Sequence, residues 1–214
     1  RQVVQWLLDL GVSTAHPASD PSLVVGRLRA LLARFEDLYR PDGETTALLE
    51  AQLAMLAANA DDVRLVFQHG DPGPWNVVVT ADGEPGFLDW EAADPDGMPL
   101  WDLFHFLRSF GLAVSQKAGT RDPNESFADQ VLATSGLNRL LVETARRFCH
   151  ETGFSTRLVE PLFYLCWVHR AVKEASRLTE EELQSGRYVN LLRVAVTRRD
   201  APGLQRLFSP PAGV

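Results

Sequence analysis

The sequence predicts a mainly helical α+β domain that contains one small antiparallel β hairpin. Apolar residues recur at helical spacing in the segments before residue 60 and after residue 100. Short β-type runs separated by turn residues occupy the region between them. The chain of 214 residues shows no internal repeat and no linker, so we expect a single domain over residues 1–214 with one core.

Before residue 63 the pattern predicts three helices. They cover about residues 2–10, 22–39 and 45–60. Gly11 is expected to end the first helix, because glycine often follows a helix C-terminus. Asp20 and Pro21 are typical of a helix start, with an N-cap followed by a proline in the first turn, and the loop before them, 12–20, is polar.

The β-type runs between residues 64 and 90 predict the hairpin. Val77–Val79 and Gly86–Leu88 flank a turn at 81–83, which indicates a hairpin at about 76–90. The run Leu65–Phe67 is expected to form a short strand beside it. A loop rich in Pro, Asp and Gly is predicted at 92–99.

Helices are predicted to resume at residue 100. They cover about residues 100–111, 125–134, 138–152, 157–178 and 187–199. Pro161 is expected to begin or kink the fourth of these, and the Pro-rich tail at 210–214 is expected to be frayed.

Composition and charge exclude several classes of function. A net charge of −7 argues against a nucleic-acid-binding protein, which carries a basic face. The apolar run Leu162–Val168 is too short to cross a membrane, and the N-terminus shows no secretory signal. Cys149 and Cys166 suggest neither a disulfide framework nor a zinc site, which favours the cytoplasm. Because the sequence begins with Arg1 and not Met, we expect further sequence upstream.

Asp71, Asn76 and Asp89 form the candidate site. Phosphoryl transfer needs a carboxylate that orients the attacking hydroxyl and oxygen ligands that hold Mg²⁺. Asp71 and Asn76 have the Asp-x4-Asn spacing of a kinase catalytic loop, and Asp89 stands at the end of the predicted hairpin, where a metal-binding Asp is expected. The hairpin is expected to bring Asn76 and Asp89 to one metal while Asp71 faces the substrate.

The motif pair His69-Gly70-Asp71-x4-Asn76 and Leu88-Asp89-Trp90-Glu91 resembles that of the aminoglycoside phosphotransferase and choline kinase family, which has a protein-kinase-like fold. The resemblance extends to Leu100–Leu103, which includes an aspartate that opens a helix. It implies transfer of the γ-phosphate of ATP, or alternatively GTP, to a hydroxyl of a small molecule, with Mg²⁺ as cofactor.

The resemblance also implies individual roles. Asp71 would be the base or hydroxyl-orienting residue, and Asn76 and Asp89 the Mg²⁺ ligands. His69 would brace the loop, and Asp102 would tie the loop to the following helix. Glu91 is a candidate contact for metal or substrate, with a solvated loop carboxylate as the alternative. His16, His105, His150 and His169 show no metal-ligand spacing and are interpreted as structural or exposed.

On this alignment the chain corresponds to the C-terminal lobe of the fold. Residues 1–62 would be hinge-proximal helices, 63–98 the catalytic and metal-binding loops, and 99–209 a helical subdomain. The N-terminal β lobe with its strand lysine has no counterpart, since no lysine precedes Lys117. A partner chain or a missing lobe is therefore expected to cover the nucleotide. A non-catalytic lobe that binds a metabolite or protein is the alternative, and a metal-dependent hydrolase is a third.

Overall fold

The structure is a computed structural model that describes residues 1–120 and 122–209. Helices dominate the described residues, and short turns of 3₁₀ helix precede β2, β3 and α7. The α-helices are Gln2–Thr14 (α1), Pro21–Tyr39 (α2), Gly43–Ala58 (α3), Trp101–Lys117 (α4), Pro123–Phe127 (α5), Gly136–Thr152 (α6), Val159–Ala175 (α7), Glu180–Leu183 (α8), Arg187–Thr197 (α9) and Pro202–Phe208 (α10). The strands are His16–Pro17 (β1), Arg64–Gln68 (β2), Val77–Val79 (β3), Pro85–Phe87 (β4) and Asp94–Gly97 (β5).

The strands form two small antiparallel units. In the first, β2 lies between β1 and β5. In the second, β3 and β4 form the predicted hairpin, with Val77 opposite Phe87 and Val79 opposite Pro85. The predicted class, mainly helical with a small antiparallel β component, is confirmed.

The predictions around the strands were wrong in two places. β2 pairs with β1 and β5 and not with the hairpin. These two partner strands lie in segments that were predicted to be loops, 12–20 and 92–99. Asp94–Gly97 has the composition of a turn, yet its backbone completes the ladder of β2. Tertiary pairing overrides such weak strand preferences.

Helix ends also depart from the predictions. α1 continues through Gly11 to Thr14, and Gly11 lies beside the ring of Phe148 of α6. α4 extends to Lys117, and α5 continues as a π-helix over Ala128–Leu132. The sequence reasoning missed α10. The tail predicted to be frayed lies outside the described residues.

Other local predictions were correct. The Asp20 carboxylate caps α2 by accepting a hydrogen bond from the backbone N–H of Ser22 at 2.9 Å. The Asp42 carboxylate caps α3 in the same way through the N–H of Thr45 at 2.8 Å, a cap that the sequence reasoning did not predict. Pro161 lies in the first turn of α7, where a proline costs no intrahelical hydrogen bond.

Helix α7 is the centre of the core. All residues from Pro161 to Val168 are buried, and the helix packs against α2, α3, α4 and α9. A helix that is apolar on all sides is stable only when other elements surround it. The indole N–H of Trp101 at the start of α4 donates to the carbonyl oxygen of Leu162 at 3.0 Å. This bond fixes α4 against α7, and these two helices supply side chains to the candidate site.

Among the described residues, no helix combines the length and apolar character that a bilayer crossing requires.

Replacing Trp101 with Phe tests the α4–α7 contact. Trp101 is buried, so the change removes a hydrogen bond and leaves space in the core. We expect the free energy of unfolding to fall by about 2 kcal/mol in urea titrations. Trp75→Phe is the matched control, because Trp75 is exposed and its indole N–H has no partner among the described residues; its cost should be about 0.5 kcal/mol or less. Equal losses of the free energy of unfolding in the two variants would contradict the role of Trp101 in fixing α4 against α7.

Candidate active site

The loop that follows β2 has a conformation that only glycine adopts easily at its second residue. Gly70 has a φ of 82°. A Cβ atom at this position would clash with the carbonyl oxygen of Ala92. Gly70 therefore lets the loop pass directly beside the segment that follows the hairpin.

Asp102 holds this loop from the first turn of α4. Its carboxylate accepts hydrogen bonds from the backbone N–H groups of His69 at 2.6 Å and Gly70 at 3.1 Å. Burial raises the pKa of the Asp102 carboxyl, and the two N–H donors partly offset that effect. The sequence-predicted tie between loop and helix thus has a geometric counterpart in these two bonds.

His69 connects the same loop to the hairpin. Its ring is fully buried, 4.4 Å from the ring of Trp90 and 5.4 Å from that of Phe87. Nε2 lies 2.9 Å from the carbonyl oxygen of Leu88, and Nδ1 accepts the backbone N–H of Asp71 at 3.3 Å. A neutral imidazole with the proton on Nε2 satisfies both partners. The side chain therefore fixes the spacing between Asp71 and the end of the hairpin.

Asp71 is held by two side chains from the helical core. Its Oδ1 accepts hydrogen bonds from Arg170 Nη2 at 2.9 Å and from His105 Nε2 at 3.1 Å. Arg170 also donates to the carbonyl oxygen of Gly70 at 2.9 Å. The hydrogen bond from His105, followed by the bond and charge of Arg170, holds the pKa of Asp71 well below its usual range. Asp71 is therefore ionised at neutral pH.

The two oxygens of Asp71 have different environments. Among the described residues, Oδ2 accepts no hydrogen bond, while Oδ1 accepts two. The side chain is 33% exposed, so one oxygen remains accessible from solvent. An incoming hydroxyl group can reach it.

Burial lowers the pKa of His105 to about 3, so this residue is neutral and can donate through Nε2. Its Nδ1 is buried and has no partner among the described residues. The ring lies edge-on to Trp75, with centroids 6.1 Å apart. Arg170 Nη2 lies 3.0 Å from the same Nε2, and His105 donates to Asp71 in the tautomer that carries its proton there.

Asn76 and Asp89 lie at the open end of the hairpin. The N–H of Leu88 donates to the carbonyl oxygen of Asn76 at 2.9 Å, which extends the β3–β4 ladder by one step. The side-chain Nδ2 of Asn76 donates a hydrogen bond to the carbonyl oxygen of Asp71 at 3.0 Å. The Oδ1 atom of the same Asn76 amide therefore points away from this carbonyl oxygen. Asp89 follows directly, exposed and in the left-handed conformation with a φ of 61°.

The donor set of Asn76 and Asp89 fits Mg²⁺. Neither the amide oxygen of Asn76 nor the carboxylate of Asp89 has a hydrogen-bond donor among the described residues. Mg²⁺ uses one or two carboxylates from protein and keeps several waters. In the same part of the chain, no three or more His, Cys, Asp or Glu side chains cluster as metal ligands. Glu91 is exposed, and its role stays a prediction.

An open cleft of about 340 Å³ lies beside Asp71. Helix α7, the start of α9 and the 3₁₀ turn before β3 form its walls. The lining residues are Asp71, Trp75, Arg170, Lys173, Glu174, Arg177, Leu178, Arg187 and Tyr188. Its size is that of a small-molecule site. Neither Asn76 nor Asp89 lines the cleft. The Asp71 loop is therefore the part of the site that the cleft shares with the residues suited to a metal.

Sequence reasoning missed His105, Arg170 and Tyr188. His105 was interpreted as structural or exposed, yet it contacts Asp71. It follows Asp102 by three residues on a helix, which places both on one face and was an available signal. Arg170 follows the apolar run Leu162–Val168 in α7, and a buried cation there requires an acceptor. Nothing in the sequence indicates that Tyr188 accepts a bond from Arg170 at 3.3 Å.

A family model described as "Phosphotransferase enzyme family" matches residues 9–151. The chain belongs to this family. The match covers more than half of the chain and includes the loop, the hairpin and the helix that carries Asp102 and His105. No curated protein and no solved structure matches the chain significantly. Family membership indicates phosphotransferase activity in general terms.

The buried His105 predicts a pH dependence of stability. Below a pKa of about 6.5, the usual value for histidine, the unfolded chain takes up a proton at residue 105. The folded chain does so only near a pKa of about 3. The free energy of unfolding should therefore fall as the pH drops through this range, by at most about 1.4 kcal/mol per pH unit from this residue.

Chemical denaturation between about pH 6 and about pH 4 tests this dependence. His105→Gln should show a shallower pH slope than the wild type, because glutamine does not titrate. A part of the pH dependence of the free energy of unfolding should remain in this variant, since burial also lowers the pKa of His169 to about 4. His150→Gln, a change at an exposed position, should keep the wild-type slope. An unchanged slope in His105→Gln would show that His105 is not buried as a neutral ring.

Proposed function

We propose that this protein is a small-molecule kinase that transfers the γ-phosphate of ATP to a hydroxyl group at Asp71. One observation carries the proposal: Asp71 presents a free, ionised carboxylate oxygen at a small-molecule cleft, and its backbone carbonyl is hydrogen-bonded to the side chain of Asn76. Membership of the phosphotransferase family supports it. GTP is the alternative donor.

In this mechanism Oδ2 of Asp71 accepts the hydrogen bond of the acceptor hydroxyl and aims its oxygen at the γ-phosphorus. The new oxygen–phosphorus bond forms as the bond to the ADP oxygen breaks, and the hydroxyl proton passes to Oδ2. A carboxylate with so low a pKa is a weak base, so orientation of the hydroxyl is its larger contribution.

Arg170 and His105 are positioning residues in this proposal. They occupy Oδ1 and leave Oδ2 as the oxygen available to the substrate. Asn76 and Asp89 would hold Mg²⁺, which when bound offsets negative charge on the nucleotide phosphates. His69 and Asp102 keep the Asp71 loop and the hairpin in register, as their hydrogen bonds indicate.

We further propose that these residues act as the C-terminal lobe of a protein-kinase-like fold. The described residues before His69 form three helices and two short strands, and none of these residues is a lysine. The cover for the nucleotide phosphates would come from another part of the protein or from a partner chain. A lobe that binds a metabolite or protein without catalysis is the alternative, and turnover decides between them.

Asp71→Asn tests the proposal in the full-length protein. Asparagine keeps the shape but loses the negative charge, so kcat for phosphate transfer from Mg²⁺·ATP should fall by about 10²- to 10⁴-fold, while the affinity for ATP changes little. Asp61→Asn removes a charge from an exposed carboxylate on the turn before β2 and should retain wild-type turnover.

Thermal unfolding of both variants separates loss of fold from loss of function. An Asp71→Asn protein that is folded and phosphorylates a verified substrate at the wild-type rate would refute the role of Asp71. A wild-type protein that binds Mg²⁺·ATP without any turnover would favour the non-catalytic alternative.

A further inference from the structure

The cleft beside Asp71 is cationic, although the protein is acidic. Four cationic side chains line it, and only two carboxylates do so. The whole chain carries a net charge of −7, so this surface has the opposite sign to the average. The cations are Arg170, Lys173, Arg177 and Arg187. A cleft lined by one sign of charge raises the local concentration of ligands of the other sign.

Both carboxylates of the cleft already have partners in the protein. Asp71 is paired with Arg170. Glu174 Oε2 accepts the backbone N–H of Tyr188 at 3.0 Å, in the first turn of α9, where an unpaired N–H group favours an anion. Neither carboxylate forms an ion pair with any of the other three cations of the cleft.

Three of the cations have no carboxylate within ion-pair distance in the described part of the chain. Arg177 and Arg187 are exposed and donate no side-chain hydrogen bond there. Lys173 is half-buried, and its one contact is the carbonyl oxygen of Gly70 at 3.4 Å. These three side chains are therefore available to a ligand that enters the cleft.

A buried arginine behind the cleft wall adds to the positive charge. Arg108 of α4 is 3% exposed, and its Nη2 has no hydrogen-bond partner among the described residues. Its guanidinium lies 5.5 Å from the ring centroid of Tyr188, and that of Arg170 lies 5.1 Å from the same ring. Burial lowers the pKa of Arg108 only to about 10, so it is charged at neutral pH. Since Arg170 is paired with Asp71, Arg108 is the buried cation near the cleft without a carboxylate partner among the described residues, and its charge favours an anion in the cleft.

The cationic cleft does not include the proposed metal ligands. The lining includes Asp71 but neither Asn76 nor Asp89. A ligand held by the cations of the cleft therefore lies beside Asp71, where its hydroxyl group can reach the carboxylate.

We propose that the acceptor is an anionic hydroxyl compound, a small polyol that carries a phosphate or a carboxylate group bound by Lys173, Arg177 and Arg187. This inference rests on the proposed function and adds the class of acceptor. Polycationic acceptors such as aminoglycosides, and quaternary ammonium compounds such as choline, meet like charge in this cleft.

Calorimetric titration of the full-length protein with four probes tests the inference. The probes are glycerol 3-phosphate, glycerate, glycerol and choline. At least one of the two anions should bind, more weakly as salt is added, and choline and glycerol should not. The anion that binds more tightly identifies phosphate or carboxylate as the recognised group. The double variant Arg177→Gln/Arg187→Gln should weaken anion binding about tenfold or more.

The matched control is Arg29→Gln/Arg34→Gln. It removes the same charge from two exposed arginines of α2 that make no side-chain hydrogen bond in the described residues, and it should change anion affinity less than about twofold. Equal weakening by both double variants would overturn the inference, as would tighter binding of choline than of either anion. Displacement of the bound anion by Mg²⁺·ATP would also overturn it, since the cations would then hold the nucleotide phosphates.

The two proposals fail in different ways. If the anions bind as expected but ATP is not consumed with any of them, the proposed kinase function loses its support while the anionic cleft stands. If phosphate is transferred to choline and Arg177→Gln/Arg187→Gln leaves that rate unchanged, the kinase function stands and the inferred acceptor class is wrong.

Discussion

The ion pair between Asp71 and Arg170 is the interaction on which the rest of the site depends. Arg170 extends from the central helix α7, where its guanidinium is mostly removed from water. A buried cation is costly unless acceptors surround it, and the Asp71 loop supplies a carboxylate oxygen and the carbonyl oxygen of Gly70. The same contact that satisfies the core therefore fixes the position of the loop.

This arrangement also determines what Asp71 can do. His105 and Arg170 both bind Oδ1, so the carboxylate is ionised and oriented before any ligand arrives. Pre-organised groups lose little energy to rearrangement at the moment of reaction. The strong pairing makes Asp71 a poor proton acceptor, which is consistent with a reaction in which positioning contributes more than base strength.

The loop divides the site into two sides with different chemistry. On one side, the hairpin presents the neutral amide of Asn76 and the carboxylate of Asp89, which suit a divalent cation. In the cleft, Lys173 of α7, Arg177 in the turn after α7 and Arg187 of α9 suit an anion. His69 and Asp102 bind the loop to both the hairpin and α4, so the separation between the two sides is built into the backbone.

The sequence was sufficient to predict what depends on local spacing. The hairpin, the N-cap at Asp20 and the grouping of Asn76 with the end of β4 follow from patterns within a few residues. The pairing of β2 with β1 and β5 was not predictable, because Asp94–Gly97 has the composition of a turn and gains its conformation from a distant strand. The cationic cleft was missed for the same reason: its cations come from α7, the turn after it and the start of α9, and their convergence depends on tertiary packing.

The division between a metal side and an acceptor side can be measured directly by paramagnetic NMR. Mn²⁺ binds the same oxygen ligands as Mg²⁺ and broadens nearby signals. With Mn²⁺ and ATP added to the full-length protein, the strongest broadening should occur at the side-chain amide of Asn76 and the backbone amide of Asp89, with much less at Arg177 and Arg187. Asp89→Asn should weaken Mn²⁺ binding, whereas Asp82→Asn, at an exposed carboxylate in the hairpin turn, should not. Broadening centred on Arg177 and Arg187, or equal effects of the two variants, would contradict this account.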